Sequence, residues 1–192
     1  MDNQEDTCQI TESSLYPRLI GPCWLHLADS VRKFLYTAEE SRWLGGVRIW
    51  QSGSPMVGLL ARLLGLPKPG ESVPAELLIV PERGGEIWRR KLGDRTLTTM
   101  QRGGLGGMLM EHYGPFEFAF ALHAKNGTLH FEQVGVRIHL GRFRPVVPGW
   151  LSPRVSAVCG DAGADRTFAC VQISAPLIGV LLAYEGEFAR GE

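Results

Sequence analysis

Side chains able to move protons or hold an anion are concentrated in one part of this sequence. Four of the five histidines lie between His112 and His139. Glutamate, histidine and arginine together can accept a proton, pass it on and stabilise a developing negative charge. We therefore predict Glu111 as the first choice for a general base and Arg137 as the residue that stabilises an anion. His139 and Tyr184 are further catalytic candidates.

Each of these side chains also has a structural interpretation. Glu111 can form an ion pair with a neighbouring arginine such as Arg89 or Arg90. His123 and His130 can form a cross-strand pair on a solvated face. We favour that interpretation for the two histidines, because paired surface residues are more common than functional sites.

Support for a metal or a cofactor is weak. His123, His130 and Glu132 would share one face of a strand pair, but a third histidine or a cysteine at useful spacing is missing, so we predict no metal site. The glycine-rich segment 103–107 lacks the lysine and the serine or threonine of a phosphate-binding loop, and is better explained as a sharp corner in a sheet. Without a dinucleotide fingerprint after a strand, we predict no cofactor. A Gly-x-Ser-x-Gly elbow is also missing, which disfavours a serine hydrolase.

A β-hairpin over residues 116–140 must position most of these groups. Apolar and other residues alternate from Phe116 to His123, which is the period of a strand with one apolar face. Asn126-Gly127 favours a two-residue type I′ turn. That turn sets the register, so that His123 faces His130.

The end of this hairpin leaves one question open. Beyond Glu132 the apolar residues change phase. One extra residue between Gln133 and Gly135 would switch the two faces, as a β-bulge does. With a bulge, Arg137 and His139 point to solvent; without one, they share the face of the phenylalanines.

The rest of the chain predicts an α+β fold. We expect a strongly curved antiparallel sheet, barrel or half-barrel of about seven to nine strands, with two helices from the N-terminal half packed against it. The helices are predicted near residues 29–40 and from Pro55. Residues 1–13 are predicted to form a disordered tail, and residues 14–192 a single domain.

Aromatic residues on the predicted strands indicate a pocket. A barrel of about eight strands can hold one small ligand in its interior. We expect an apolar small molecule to bind between aromatic walls that contain a few polar groups. The predicted ligand-binding residues are Trp88, Phe118, Phe120, Leu122 and Phe131, with Tyr184 also on the wall.

Composition narrows the cellular context. The 20 basic and 20 acidic residues cancel, which argues against non-specific nucleic-acid binding. A secretory signal and an apolar run of the roughly 20 residues that a membrane span needs are both missing. We therefore expect a cytoplasmic protein with reduced cysteines and no membrane partner. A Cys159–Cys170 bridge between two strands is the minority interpretation.

Four segments resemble a known family when they are taken together and in this order. They are SLYPRLIGPCW at 14–24, EIWRRKLG at 86–93, LMEHYGPFEFAFAL at 109–122 and SAPLIGVLLAYEGEF at 174–188. They are similar to the bacterial family called domain of unknown function 4166. The resemblance implies no established activity. Family members occur alone or appended to NAD-binding domains similar to saccharopine dehydrogenase, and this chain resembles the stand-alone form.

Two functional hypotheses follow from these observations. In the first, the protein binds an apolar molecule and converts it without a cofactor, in a non-redox biosynthetic reaction such as an isomerisation or a cyclisation. In the second, it is an interaction or regulatory module for an NAD-dependent oxidoreductase. The second would need an exposed apolar patch, for which we select Val146, Val147, Trp150 and Leu151.

Overall fold

The structure is a computed structural model that describes residues 14–191. Within this range, ten antiparallel strands close into one barrel. The strands are β1 Ser41–Trp50, β2 Gly70–Glu82, β3 Gly85–Leu92, β4 Arg95–Gly103, β5 Leu109–Tyr113, β6 Phe116–Lys125, β7 Thr128–Ile138, β8 Arg154–Gly163, β9 Arg166–Ala175 and β10 Gly179–Arg190. Three α-helices accompany them in the described range: α1 Leu15–Ile20, α2 Asp29–Leu35 and α3 Pro55–Leu63.

The predicted antiparallel barrel is confirmed, but its predicted details were partly wrong. Ten strands are present instead of seven to nine, and three helices instead of two. Helix α1 was missed because Pro17 lies inside it and Gly21-Pro22 follows it, a pattern that normally indicates a break. The predicted tail, residues 1–13, lies outside the described residues.

Closure of the barrel depends on glycines where β1 meets β10. Gly45 lies opposite Phe188, and Val47 lies opposite Gly186. A Cβ atom on Gly45 would lie 2.0 Å from the backbone oxygen of Glu187, and one on Gly186 would lie 2.2 Å from the backbone oxygen of Gly46. Only glycine allows the two backbones to approach this closely. The first and last strands can therefore join without a gap.

The central hairpin has the predicted register. Asn126 and Gly127 have φ angles of 52° and 79°, as a type I′ turn requires. His123 lies opposite His130, as expected. The register shifts where Ala119 pairs with Gly135 and the next residue, Phe120, pairs with Gln133. Val134 is therefore the extra residue of a β-bulge, so that of the two alternatives that the sequence left open, the bulge is the one that forms.

The N-terminal helices cover one end of the barrel. The backbone N–H of Ala28 donates to the carbonyl of Gly127 in the β6–β7 turn, at 3.0 Å. Near the same end, Phe34 of α2 is buried, and its ring centroid lies 5.0 Å from that of Trp43 and 6.0 Å from that of Trp88. These aromatic contacts fill this end of the interior. Phe34 therefore packs against the inner face of the sheet.

The opposite end of the barrel is bordered by different segments. Helix α3 connects β1 to β2 at this end, and segment 139–153 connects β7 to β8 there. The hydroxyl of Tyr113, in β5, donates to the carbonyl of Leu64 after α3, at 2.8 Å. We call this the open end, to distinguish it from the end that α1 and α2 cover. Among the described residues, no helix is long and apolar enough to cross a membrane.

Two cysteines lie in neighbouring strands but face opposite sides of the sheet. Cys159 pairs with Ala169, so Cys170, the next residue of β9, points the other way. Cys159 is buried in the interior and both thiols are free. Burial raises the pKa of the Cys159 thiol, which therefore stays protonated. The Cys159–Cys170 bridge does not form.

Candidate functional site

A cavity of about 370 Å³ lies inside the barrel. Its size falls within the range of small-molecule sites. Five predicted wall residues line it: Trp88, Phe118, Phe120, Phe131 and Tyr184. Leu122 was also predicted but does not line the cavity; it packs against the core, closer to the covered end. A barrel of ten strands leaves this space because its diameter grows with the number of strands.

One ion pair stands in this apolar cavity. Arg90 Nη2 in β3 lies 3.1 Å from Glu111 Oε1 in β5, and Arg90 Nη1 donates to the hydroxyl of Thr99 at 2.7 Å. The two charged side chains expose only 16% and 15% of their surface, and both line the cavity. The guanidinium also lies over the ring of Trp88, 4.9 Å from its centroid. The cavity therefore presents a cation and a carboxylate side by side among aromatic rings.

The charge of Arg90 is maintained by this arrangement. Burial alone would lower the pKa of the guanidinium, but the Glu111 carboxylate raises it, and the net effect is an increase. Arg90 therefore remains a cation inside the barrel. These contacts leave further guanidinium N–H donors that could meet a bound molecule.

Two tyrosine hydroxyls lie near this pair. Burial raises the pKa of Tyr184, and burial also raises the pKa of Tyr16 well above its ordinary value. Both hydroxyls are therefore neutral at physiological pH. The Tyr16 hydroxyl donates to Oε1 of Gln101 at 2.7 Å. Tyr184, a predicted site residue, is brought to the same cavity as Glu111.

A second carboxyl is buried near the covered end. Glu86 is 1% exposed and accepts a hydrogen bond from the Trp88 indole at 2.9 Å. Burial raises its pKa from 4.5 to about 7, although the Trp88 indole, the backbone of Leu15 and the hydroxyl of Thr37 each lower it. Thr37 Oγ1 and Glu86 Oε1 nevertheless lack hydrogen bonds of good geometry within the described residues. This carboxyl is therefore close to half-protonated at neutral pH.

The structure does not bring Arg137 and His139 to the cavity. Glu117 lies opposite both His112 and Arg137, so these three side chains share the outer face of the barrel. The Arg137 side chain exposes 54% of its surface. The bulge at Val134 reverses the phase of the strand and turns both residues away from the phenylalanines. Of the predicted catalytic residues, only Glu111 and Tyr184 line the interior.

The outer face carries its own polar cluster beside the open end. His112 Nε2 lies 2.9 Å from Glu117 Oε2, and His139 Nε2 lies 3.3 Å from the same oxygen. Arg137 Nη1 lies 3.5 Å from the other oxygen, Oε1. Burial lowers the pKa of His112, an effect that Glu117 opposes. The sequence did not predict that these residues meet, because Arg137 and His139 lie 25 and 27 positions after His112.

The other two histidines of the hairpin form the expected surface pair. His123 and His130 lie opposite each other in register. His123 Nε2 lies 3.0 Å from Glu132 Oε2, and their side chains are 56% and 71% exposed. Within the described residues, this group does not form a set of three converging ligand atoms.

Arg90 and Glu86 are interior residues that the sequence interpretation did not select as site residues. A signal was present in EIWRRKL, because strict alternation places both of them on the face of Trp88 and Leu92. A charged residue on an apolar strand face normally indicates an edge or an error in register. Here Arg90 belongs to a buried ion pair, and Glu86 is a buried carboxyl that accepts from the Trp88 indole.

Comparison with known proteins identifies a family but no activity. Residues 27–188 match the model of a family described as domain of unknown function (DUF4166). No curated protein matches the chain. A crystal structure of a protein of unknown function from the DUF3598 family of Nostoc punctiforme PCC 73102 aligns with a TM-score of 0.46 and 11% identity. The alignment covers 79% of this chain and 47% of that chain, so this chain spans about half of its length.

Proposed function

The chain belongs to the DUF4166 family, and we propose that it binds a small apolar molecule inside the barrel. The observation that carries this proposal is the aromatic-lined cavity of about 370 Å³. A core that served stability alone would be packed to the density of an organic crystal, without a space of this size. Apolar walls with a few polar groups are typical of ligand sites.

The polar groups suggest what the ligand carries. Arg90 and Glu111 lie among apolar side chains, so an oxygen-bearing end of the ligand could accept a hydrogen bond from Arg90 and donate one to Glu111. The rest of the molecule would contact Phe118, Phe120 and Phe131. We therefore propose an apolar molecule with one hydroxyl group, since a hydroxyl can both accept from Arg90 and donate to Glu111.

The open end supports access for such a ligand. Leu60 and Leu64, in and after α3, line the cavity, and Leu151 of segment 139–153 lines it as well. On the outer side of α3, Leu59 and Leu63 are 59% and 73% exposed. Apolar side chains therefore continue from the surface into the interior, which would allow an apolar molecule to enter without crossing a polar rim.

Filling the cavity should abolish ligand binding. Ala157 lines the cavity, whereas its neighbour Ser156 is exposed on the outer face. We expect Ala157→Trp to weaken binding of the apolar probe anilinonaphthalene sulfonate at least about tenfold, because the indole would occupy the probe's space. Fluorescence titration measures this. Ser156→Trp is the matched control and should bind as the wild type does; equal binding by both variants would place the probe elsewhere.

We further propose that the bound molecule undergoes a cofactor-free, non-redox conversion such as an isomerisation or cyclisation. Glu111 would accept the proton, as the sequence suggested, and Arg90 would take the anion-stabilising role assigned to Arg137. Tyr184 would supply a neutral hydroxyl on the same wall.

This reaction can be tested on a compound extracted from the purified protein. After extraction and identification by mass spectrometry, the compound would be incubated with the wild type and with Glu111→Gln. We expect the variant to lose turnover at least about a hundredfold while it still binds the compound, since general-base catalysis typically contributes that much. Full turnover by the variant would remove Glu111 from the mechanism.

The alternative function is a docking module for an NAD-dependent oxidoreductase. Its support is an exposed apolar group in segment 139–153: Val146 is 65% exposed, Trp150 71% and Leu151 54%. Val147, also selected from the sequence, instead packs against the core. The two functions respond differently to substitution: Trp150→Ser would weaken a docked partner and spare probe binding, whereas Ala157→Trp would do the reverse.

A further inference from the structure

Three potential metal ligands converge on the outer face of the barrel. They are His112 from β5, Glu117 from β6 and His139 just after β7, and one ligand atom from each lies within 4.8 Å of the other two. Their side chains are 31%, 10% and 25% exposed. The cluster is independent of the interior cavity, because it lies on the opposite side of the sheet.

Within residues 14–191, one nitrogen of the cluster has no hydrogen-bond partner. His139 Nε2 is buried, and no described atom meets it with hydrogen-bond geometry. It lies 3.3 Å from Glu117 Oε2, which in turn lies 2.9 Å from His112 Nε2. Buried polar atoms normally have a hydrogen-bond partner. A buried nitrogen without one, next to a carboxylate, therefore favours a site at which a cation binds. A cation between the three atoms would satisfy all of them.

The backbone and a neighbouring side chain hold the three ligands in place. The backbone N–H of His139 donates to the carbonyl of Pro115 at 2.7 Å, which ties the end of β7 to the β5–β6 turn. The two imidazole rings are perpendicular, with centroids 5.0 Å apart. Arg137 engages Oε1 of Glu117 and leaves Oε2 directed at the histidines. An outer partner of this kind orients a metal-binding carboxylate.

We propose that His112, Glu117 and His139 bind a divalent transition-metal ion, with Zn²⁺ as the preferred ion. Zn–N and Zn–O bonds of about 2.0–2.2 Å place tetrahedral ligand atoms about 3.3–3.6 Å apart, so the observed spacing needs only small side-chain adjustments. Two imidazoles and one carboxylate suit zinc better than calcium or magnesium, which prefer oxygen ligands alone. Three protein ligands leave at least one coordination position for water.

Three arginines near the cluster lower its affinity for a cation. Arg137 contacts Glu117, and Arg102 and Arg144 lie close enough to His112 to act on it electrostatically. Their positive charges oppose a bound cation. Removing the exposed Arg144 should therefore tighten zinc binding, a response that an adventitious site elsewhere on the chain would not show.

Zinc titration of the chelator-treated full chain tests the proposal. All variants carry Cys8→Ser and Cys23→Ser as a common background, because the thiols of these two cysteines could bind zinc independently of the cluster. We expect one equivalent of Zn²⁺ by calorimetry, and Co²⁺ bound in its place should show ligand-field absorption without thiolate charge transfer. Glu117→Gln, His112→Ala and His139→Ala should each weaken Zn²⁺ binding at least about tenfold, and Arg144→Gln should strengthen it.

The other histidine pair supplies the matched control. His123 and His130 lie on the same outer surface beside Glu132, but in the part of the chain that the structure describes they do not belong to a set of three converging ligand atoms. His123→Ala/His130→Ala should bind Zn²⁺ as the background does. The proposal would be overturned if less than half an equivalent of Zn²⁺ bound, or if Glu117→Gln bound Zn²⁺ as tightly as the background does. Weaker Zn²⁺ binding by His123→Ala/His130→Ala would overturn it as well. Glu117→Gln is nearly isosteric and circular dichroism reports its fold, so the test stands even if a histidine variant misfolds.

Discussion

Replacing Arg90 with methionine should destabilise the protein by about 3–5 kcal/mol, because it leaves the Glu111 carboxylate in the interior without a cation. The pair is enclosed by the aromatic wall, and the Arg90 guanidinium also donates to Thr99 and lies over Trp88. Water cannot easily replace these interactions at the buried carboxylate. Urea unfolding at neutral pH gives the free energy of unfolding.

The double variant Arg90→Met/Glu111→Leu should recover most of this loss. A buried ion pair costs a large desolvation free energy, so two well-packed apolar side chains are often as stable as the pair itself. Arg166→Met is the control, because Arg166 pairs with Glu187 on the surface, where both side chains are more than half exposed. We expect it to change the free energy of unfolding little. A small loss of stability in Arg90→Met would mean that water solvates the Glu111 carboxylate.

Replacing Glu86 with glutamine should flatten the dependence of stability on pH. The folded-state pKa of Glu86 is about 7, raised from its ordinary value of 4.5 chiefly by burial. Below 4.5 the carboxyl is protonated in both states and contributes no pH dependence. Between 4.5 and 7 the folded protein keeps the proton that the unfolded chain releases, so stability falls as the pH rises. The total loss is roughly 3 kcal/mol, and it is complete above the folded-state pKa.

Glu86→Gln cannot ionise and keeps an acceptor for the Trp88 indole. We therefore expect it to gain roughly 3 kcal/mol relative to the wild type between pH 4.5 and pH 8. Urea unfolding at several pH values gives the free energy of unfolding of Glu86→Gln and of the wild type as a function of pH. The contributions of other titrating groups cancel in the difference between these two curves. Glu82→Gln, an exposed neighbour at the end of β2, should leave the wild-type profile unchanged. Parallel curves for Glu86→Gln and wild type would show that Glu86 is not the cause.

Local patterns in the sequence were enough to predict the central hairpin. Alternation after Phe116 and the Asn126-Gly127 turn act over a few residues, and they determine strand, turn and register without help from the rest of the chain. The change of phase after Glu132 left a bulge and an unbroken strand as alternatives, and the register of the structure places an extra residue at Val134. The aromatic cavity wall follows from the same alternation.

Closure of the sheet was decided only in three dimensions. Whether the strands form a half-barrel or a closed barrel depends on β1 meeting β10, a pairing between residues near opposite ends of the described chain. The sequence shows glycines at 45 and 186, but their purpose is visible only when the two backbones approach each other. Long-range pairing of this kind leaves no periodic signal in either strand.

The composition of both polar sites also depended on the tertiary structure. The sequence allowed Glu111 to act alone or to pair with Arg89 or Arg90, and the curvature of β3, β4 and β5 brings Arg90 to it across an intervening strand. The sequence did not show that His112 and His139 meet, and the β5–β6–β7 register brings them to one carboxylate. Sequence patterns determine which face of a strand a side chain occupies. Which side chains meet on that face depends on strand order and register, and these follow from the packing of the whole barrel.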